Sequence, residues 1–254
     1  MKRAGLVLLL CLCCSAFAAG PVLIVADEIP AMQVLAGRLK AGGNIESAIV
    51  KQTEMPPDLS VYSAVFVYIH RDITEPAEKA FIAYADGGGK LILLHHSISS
   101  GKRKNKYWFG FLGISLPERD FSQGGYKWIE GVEFEVVNLA PQNDVTTHNV
   151  KYPARITYRS SEAGGAEKEY DGLALEDSEV YLNHVYTEPR TILMGLKYRD
   201  AKSGVTYMQD RAAWHKKAGK GMIFYFMPGH SAKEFENPAY AQILVNAVTF
   251  KARP

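Results

Sequence analysis

Beyond residue 14 this chain has no cysteine. All three of its cysteines (Cys11, Cys13 and Cys14) sit near the start, so the rest of the chain can form no disulfide, offer no thiolate nucleophile and build no cysteine metal site. Long apolar runs are also missing. The longest, Leu6–Leu12, is too short for a comfortable membrane span. Net charge is close to zero, with 29 Lys+Arg against 27 Asp+Glu. No basic excess points to nucleic acid or an acidic membrane. No glycine-rich phosphate loop of known spacing occurs, and no H-x-x-x-H or H-E-x-x-H pair marks a metal site. The sequence therefore names no cofactor and assigns no metal ligand. Strand-end histidines and carboxylates leave a metal open as an alternative.

What is present begins with an address. Met1-Lys2-Arg3, the apolar run and Ala16-Phe17-Ala18-Ala19 read as a secretory signal over residues 1–19,. The expected product is periplasmic or secreted. Residues 20–254 then form one domain, long enough to bury a sizeable core.

The chain alternates buried runs with amphipathic ones. Val22–Ala26 reads as a strand. Met32, Leu35, Ala36 and Leu39 form a helical stripe stopped by Gly42-Gly43,. Ala48–Val50 and Ala64–Ile69 are further strands. Thr74 caps the next helix, Gly87-Gly88-Gly89 ends it, and Leu91–Leu94 follows,. Later strands are Glu133–Val137, Thr191–Leu196 and Met222–Met227, and Asn237-Pro238 opens a final helix. The pattern predicts an α/β fold, a three-layer α/β/α arrangement around a mostly parallel, doubly wound sheet.

In such sheets the carboxyl ends of the strands open onto the ligand crevice. His95 and His96 stand at one such end. Side chains alternate along a strand, so one imidazole is expected in the crevice and the other in the core, with His96 favoured as nearer the exit. His230 follows the Met222–Met227 strand, with Ser231 and Glu234 spaced as a capping box. Asp27 and Glu28 end the first strand; His70 and Arg71 end the third. Glu179 and Tyr181 are two apart and share a face, and His184 follows them. Tyr107 and Trp108 could stack on a ring-shaped ligand, although aromatic residues next to glycines more often pack a loop. Lys102–Lys106 reads as a solvated charge run.

The order of motifs resembles the ThuA-like (trehalose-utilisation) family, within the class I glutamine amidotransferase-like fold. The resemblance is carried by Gly87–His95 (GGGKLILLH) and Asp177-Ser178-Glu179-Val180-Tyr181. Its third part runs from Ala213-Trp214 through Gly219-Lys220-Gly221 to Gly229-His230, and Phe235-x-Asn237-Pro238 closes it. It implies a flavodoxin-like core and a small-molecule partner, a disaccharide or keto-sugar. With their strand-end places, it implies His95, His96, Glu179 and His230 as acid–base residues and Tyr181 as a substrate contact; strand-end position adds Asp27 and His70, and ring chemistry Tyr107 and Trp108, as substrate-binding candidates. The chain departs from the family in one place, where Ser178 separates Asp177 from Glu179. It departs from true amidotransferases more sharply, because their nucleophilic cysteine is missing and glutamine hydrolysis through a thioester is excluded. The alternative is a carbohydrate-binding module that keeps the fold without the chemistry.

Overall fold

The computed structural model describes residues 20–161 and 165–251. The expected signal, residues 1–19, lies outside them. The strands in chain order are β1 (Val22–Ala26), β2 (Ser47–Val50), β3 (Ala64–Tyr68), β4 (Lys90–Leu94), β5 (Ile114–Ser115) and β6 (Lys127–Asn138). They continue with β7 (Ala154–Arg159), β8 (Glu167–Leu182), β9 (Val185–Tyr186), β10 (Thr191–Arg199), β11 (Thr206–Ala218) and β12 (Gly221–Phe226). Among the described residues, ten strands form one sheet in the order β2-β1-β3-β4-β12-β11-β10-β6-β8-β7, and β5 pairs with β9 apart from it.

Every residue of β1 and β3 is buried, as is β4 after Lys90. Continuous apolar runs suit parallel strands covered on both faces, and β2, β1, β3, β4 and β12 are parallel neighbours. Helix α1 (Ile29–Gly43) runs through Gly42 and Gly43, and Asn44 at φ 49° ends it instead. Helix α2 (Glu75–Gly87) starts after Thr74. That threonine donates its backbone N–H to Gln52 and makes no side-chain cap. Helix α3 is Trp108–Leu112 and α4 Asp144–Thr147; α5 is Ala232–Glu236 and α6 Pro238–Thr249. α1 packs with α5 and α6, while α2 packs on β4 and β12.

The rest of the sheet is antiparallel, so the whole is mixed rather than mostly parallel. An apolar run such as Thr191–Leu196 shows burial but not direction. The connections set direction: Gly219-Lys220 alone joins β11 to β12, and a two-residue link permits only an antiparallel hairpin,.

The β6–β8 ribbon positions the site. β6 meets β10 only over Glu135–Asn138. Its first half pairs with β8 alone, Glu130 opposite Glu179 and Trp128 opposite Tyr181. The register breaks between the two halves, where Gly131 stands at φ 64° and Asp177 at φ 49°. Such bulges bend a strand. Four strands separate β8 from β4 in the sheet, yet the bent tip reaches back to the carboxyl end of β4.

Candidate functional site

β4 stops at Leu94, and His95 takes φ 38° at the start of a 3-10 turn, His95–Ile98. A non-glycine residue in this region is strained and has to be held there. Three contacts hold it. Tyr225 Oη donates to the His95 carbonyl (3.2 Å), Ser97 Oγ to Leu94 O (2.9 Å), and Trp108 Nε1 to Ser97 O (2.8 Å). Because the strand has ended, alternation no longer applies. Both imidazoles turn the same way, which corrects the expectation that only one could. His95 is fully buried and His96 is 4 % exposed.

His230 arrives from the turn after β12. Glu234 does not form a capping box with Ser231. Its carboxylate instead accepts from the N–H groups of Gly229 (2.7 Å) and His230 (3.0 Å), and from Ser178 Oγ (2.8 Å). Ser178, the residue that breaks the family spacing, thus ties the ribbon to this turn. The bulge at Asp177 leaves that carboxylate exposed and sends Glu179 inward.

Four side chains meet at one carboxylate oxygen. Glu179 Oε2 lies 2.8 Å from His95 Nε2, 3.6 Å from His230 Nδ1 and 3.7 Å from His96 Nε2. Tyr181 Oη donates to the same oxygen at 2.7 Å. One donor atom from each of His95, His96, Glu179 and His230 falls within 4.8 Å of the others, so this set could hold a metal ion. Sequence spacing could not reveal that, because the donors come from three distant segments.

Burial pushes the Glu179 carboxyl up. The neighbouring His230, His95 and Tyr181 outweigh it and hold the group well below the carboxylate range. Burial, with the neighbouring His95 and His70, pushes His96 down to about 2, so it is neutral. The bond to Glu179 raises His230. Burial holds the Tyr181 phenol protonated.

The other expected residues divide. His70 is exposed at the rim, stacked on His96 with centroids 4.0 Å apart, its Nδ1 3.0 Å from Glu28 Oε1. Asp27 accepts from the backbone N–H groups of His70 (2.8 Å) and Arg71 (2.9 Å), so its carboxylate orders the loop that presents His70. Trp108 cannot stack on a ligand, because it is fully buried. Tyr107 is exposed but faces a different groove, with Lys79, Ile82 and Phe111. His184 is fully buried and forms no part of the cluster. Lys102 is no solvated charge. It is fully buried, and its ammonium donates to the carbonyls of His70 (3.1 Å) and Arg71 (2.6 Å). Burial lowers its pKa to about 8.

Sequence reasoning missed Tyr126, Trp128 and Glu130. Tyr126 stacks on Tyr181 with centroids 6.1 Å apart. Directly opposed residues of an antiparallel pair share a face, so Trp128 and Glu130 flank Tyr181 and Glu179. Trp128 is 48 % exposed. Tyr126 and Trp128, with Arg103 and Arg119, line a groove of about 670 Å³, within the usual span of ligand clefts,. The alternating Trp128-Ile129-Glu130 run was the signal available. A roomier groove of about 1080 Å³, lined by Pro141, Arg190, His215 and Phe250, contains none of the four clustered residues. The smaller groove is not lined by those four either, but its Tyr126 stacks on Tyr181, which bonds Glu179, and that contact ties it to the cluster.

A family model described as ThuA, trehalose utilisation, matches residues 24–251. Among solved structures, the chain is similar to a ThuA-like protein of Bacteroides uniformis, at 17 % identity over 91 % of both chains, TM-score 0.60. It is similar to a cytoplasmic protein of Salmonella typhimurium, at 15 % identity over 90 % of this chain and 98 % of that one, TM-score 0.59. A β-galactosidase of Bacillus circulans matches at 12 % identity, TM-score 0.53. That match covers 91 % of this chain and 30 % of that one. No curated protein matches the chain. Likeness at these identities shows the fold alone.

Proposed function

The chain belongs to the ThuA family, and on that premise we propose that it acts on a carbohydrate at the His95–His96–Glu179–His230 cluster. The observation that carries the proposal is the convergence of three imidazoles and a carboxylate from three segments, next to an aromatic-floored groove. Sugar rings offer an apolar face to an aromatic side chain and hydroxyls to polar groups. Trp128 and Tyr126 suit the first, while Arg103, Glu130 and the cluster suit the second. His230, raised by Glu179 and half-buried, suits proton exchange with a sugar hydroxyl, with Glu179 as its charged partner, which is acid–base chemistry of the usual kind,. Glutamine hydrolysis is outside its reach, since no cysteine follows Cys14.

The order β2-β1-β3-β4 supports reading the parallel half as a doubly wound, three-layer core. Right-handed crossovers leaving β1 and β3 in opposite directions put α1 and α2 on opposite faces. The strand order reverses at β1 and β3, whose ends carry Asp27 and His70, beside the cluster. The charged, apolar and small-residue succession of residues 1–19 supports export to the periplasm or beyond.

A turnover screen over disaccharides and their keto forms tests the function. Conversion of at least one supports the reading. Saturable binding without conversion transfers the site to a carbohydrate-binding module, the second reading, favoured by the exposed Trp128. Neither binding nor conversion across the panel ends the carbohydrate proposal.

A further inference from the structure

We infer that His95, His96, Glu179 and His230 form a binding site for one divalent first-row transition-metal ion. The argument starts from geometry. His95 Nδ1 lies 2.6 Å from the carbonyl oxygen of Met227, which only accepts, so Nδ1 carries a hydrogen and Nε2 is the ring atom that faces the cluster,. That Nε2 lies 2.8 Å from Glu179 Oε2 and 3.3 Å from His230 Nδ1, and His96 Nε2 lies 3.7 Å from the same Oε2. Four donor atoms from three segments thus face one point, where a single ion would meet them all.

The spacings agree with an ion. Metal–ligand arms of about 2.0–2.2 Å place tetrahedral ligands roughly 3.3–3.6 Å apart. Four of the six separations here are 2.8, 3.3, 3.6 and 3.7 Å, and all six fall within 4.8 Å, a span that small shifts of the His96 ring would bring to an ion's geometry. The surroundings agree too. Ligating imidazoles commonly donate their other N–H to a carbonyl, and ligating carboxylates are themselves hydrogen-bonded. His95 does the first through Met227 and Glu179 the second through Tyr181. Three imidazoles with one carboxylate and no thiolate suit zinc, iron, cobalt, nickel or manganese, not calcium or magnesium.

The ion sharpens the carbohydrate reading without depending on it. A Lewis acid here would polarise a sugar carbonyl or hydroxyl. Proton transfer would then pass to the exposed His70–Glu28 pair at the rim.

The test is metal content, read apart from turnover. Full-length protein is stripped with chelator, loaded separately with Zn²⁺ or Co²⁺, desalted and analysed for metal. One ion per chain is expected. Co²⁺ should give visible d–d bands, and Zn²⁺ should raise the Tm by roughly 5–15 °C at a hundred- to thousandfold excess over Kd. Glu179→Gln, nearly isosteric, should lose the ion. His148→Ala, a surface histidine outside the cluster, should keep it. Wild-type protein that retains no ion and gives no d–d bands overturns the site, as does equal retention by Glu179→Gln. The second result would mark the binding as adventitious. Because these readouts involve no sugar, metal binding without carbohydrate turnover defeats only the functional reading, and turnover without metal defeats only this one.

Discussion

The two halves of the sheet contribute to the site by different means. The parallel half supplies His95, His96, His70 and His230 from strand ends, where the fold rule for open α/β sheets places ligand groups. The antiparallel half supplies Glu179, Tyr181 and Trp128 from the outer tip of a ribbon bent back over that edge. The first half provides imidazoles whose places follow from topology. The second provides the carboxylate that gives them a common focus, and its place follows from two irregular residues, Gly131 and Asp177. A crevice that is generic to the architecture is made specific by a strand that breaks its own regularity.

Four measurements would break or sharpen that contrast. The largest effect is expected at the meeting point. If the ribbon's carboxylate organises the imidazoles, Glu179→Gln should lower turnover by roughly 10²–10⁴-fold with far-ultraviolet circular dichroism unchanged. Full activity would reduce the ribbon to a cover.

Acid comes next, and it probes both halves at once. Burial depresses His96 in the first half and His184 and His215 in the second. A histidine with a depressed folded pKa is protonated first in the unfolded chain. Its stabilisation is therefore complete above about pH 6.5 and declines as pH falls below that. Each group contributes roughly 1.4 kcal/mol per pH unit, so urea unfolding should find about 4 kcal/mol less stability at pH 5.5 than at 7.5. His230, raised by Glu179, opposes this as a single group whose stabilisation is lost as pH rises. A flat profile would mean that these imidazoles are solvated.

Ser178 links the halves through its bond to Glu234. Ser178→Ala removes one hydrogen bond to a buried carboxylate, about 1.5–3 kcal/mol of stability. Turnover should fall with it, since the same carboxylate holds His230. Stability lost with turnover kept would show that the turn finds its shape without the ribbon.

Trp128→Ala should be the mildest change. It should raise KM roughly tenfold, the equivalent of about 1.4 kcal/mol of contact, with kcat and Tm nearly constant. An unchanged KM would move the sugar away from the groove.

The parallel half was the legible one. Val22–Ala26, Ala64–Tyr68 and Leu91–Leu94 are continuous apolar runs, and such runs encode buried strands directly. What stayed hidden was geometry that residue type does not carry. Nothing in the letters His95-His96 announces φ 38°, yet that angle brings both rings to one point. Lys102 sits in a visibly basic run, but two backbone carbonyls capture it. Trp108 admits a ligand platform or a packing role in the sequence, and it is the peg beneath the histidine turn. Glu179 was found through a family pattern, because its approach to His95 depends on a bend 48 residues before it as much as on its own strand.

The cluster also has a history in time. His95 meets Glu179 across 84 residues of chain and His230 across 135. Long loops are costly to close, and contacts of high sequence separation form slowly. A nascent chain ending near residue 100 holds two of the histidines and no site. The site exists only when the last strand, the last turn and the bent ribbon have all docked. Its formation is therefore a clock for the completion of folding, and a probe bound there would count finished molecules rather than compact ones.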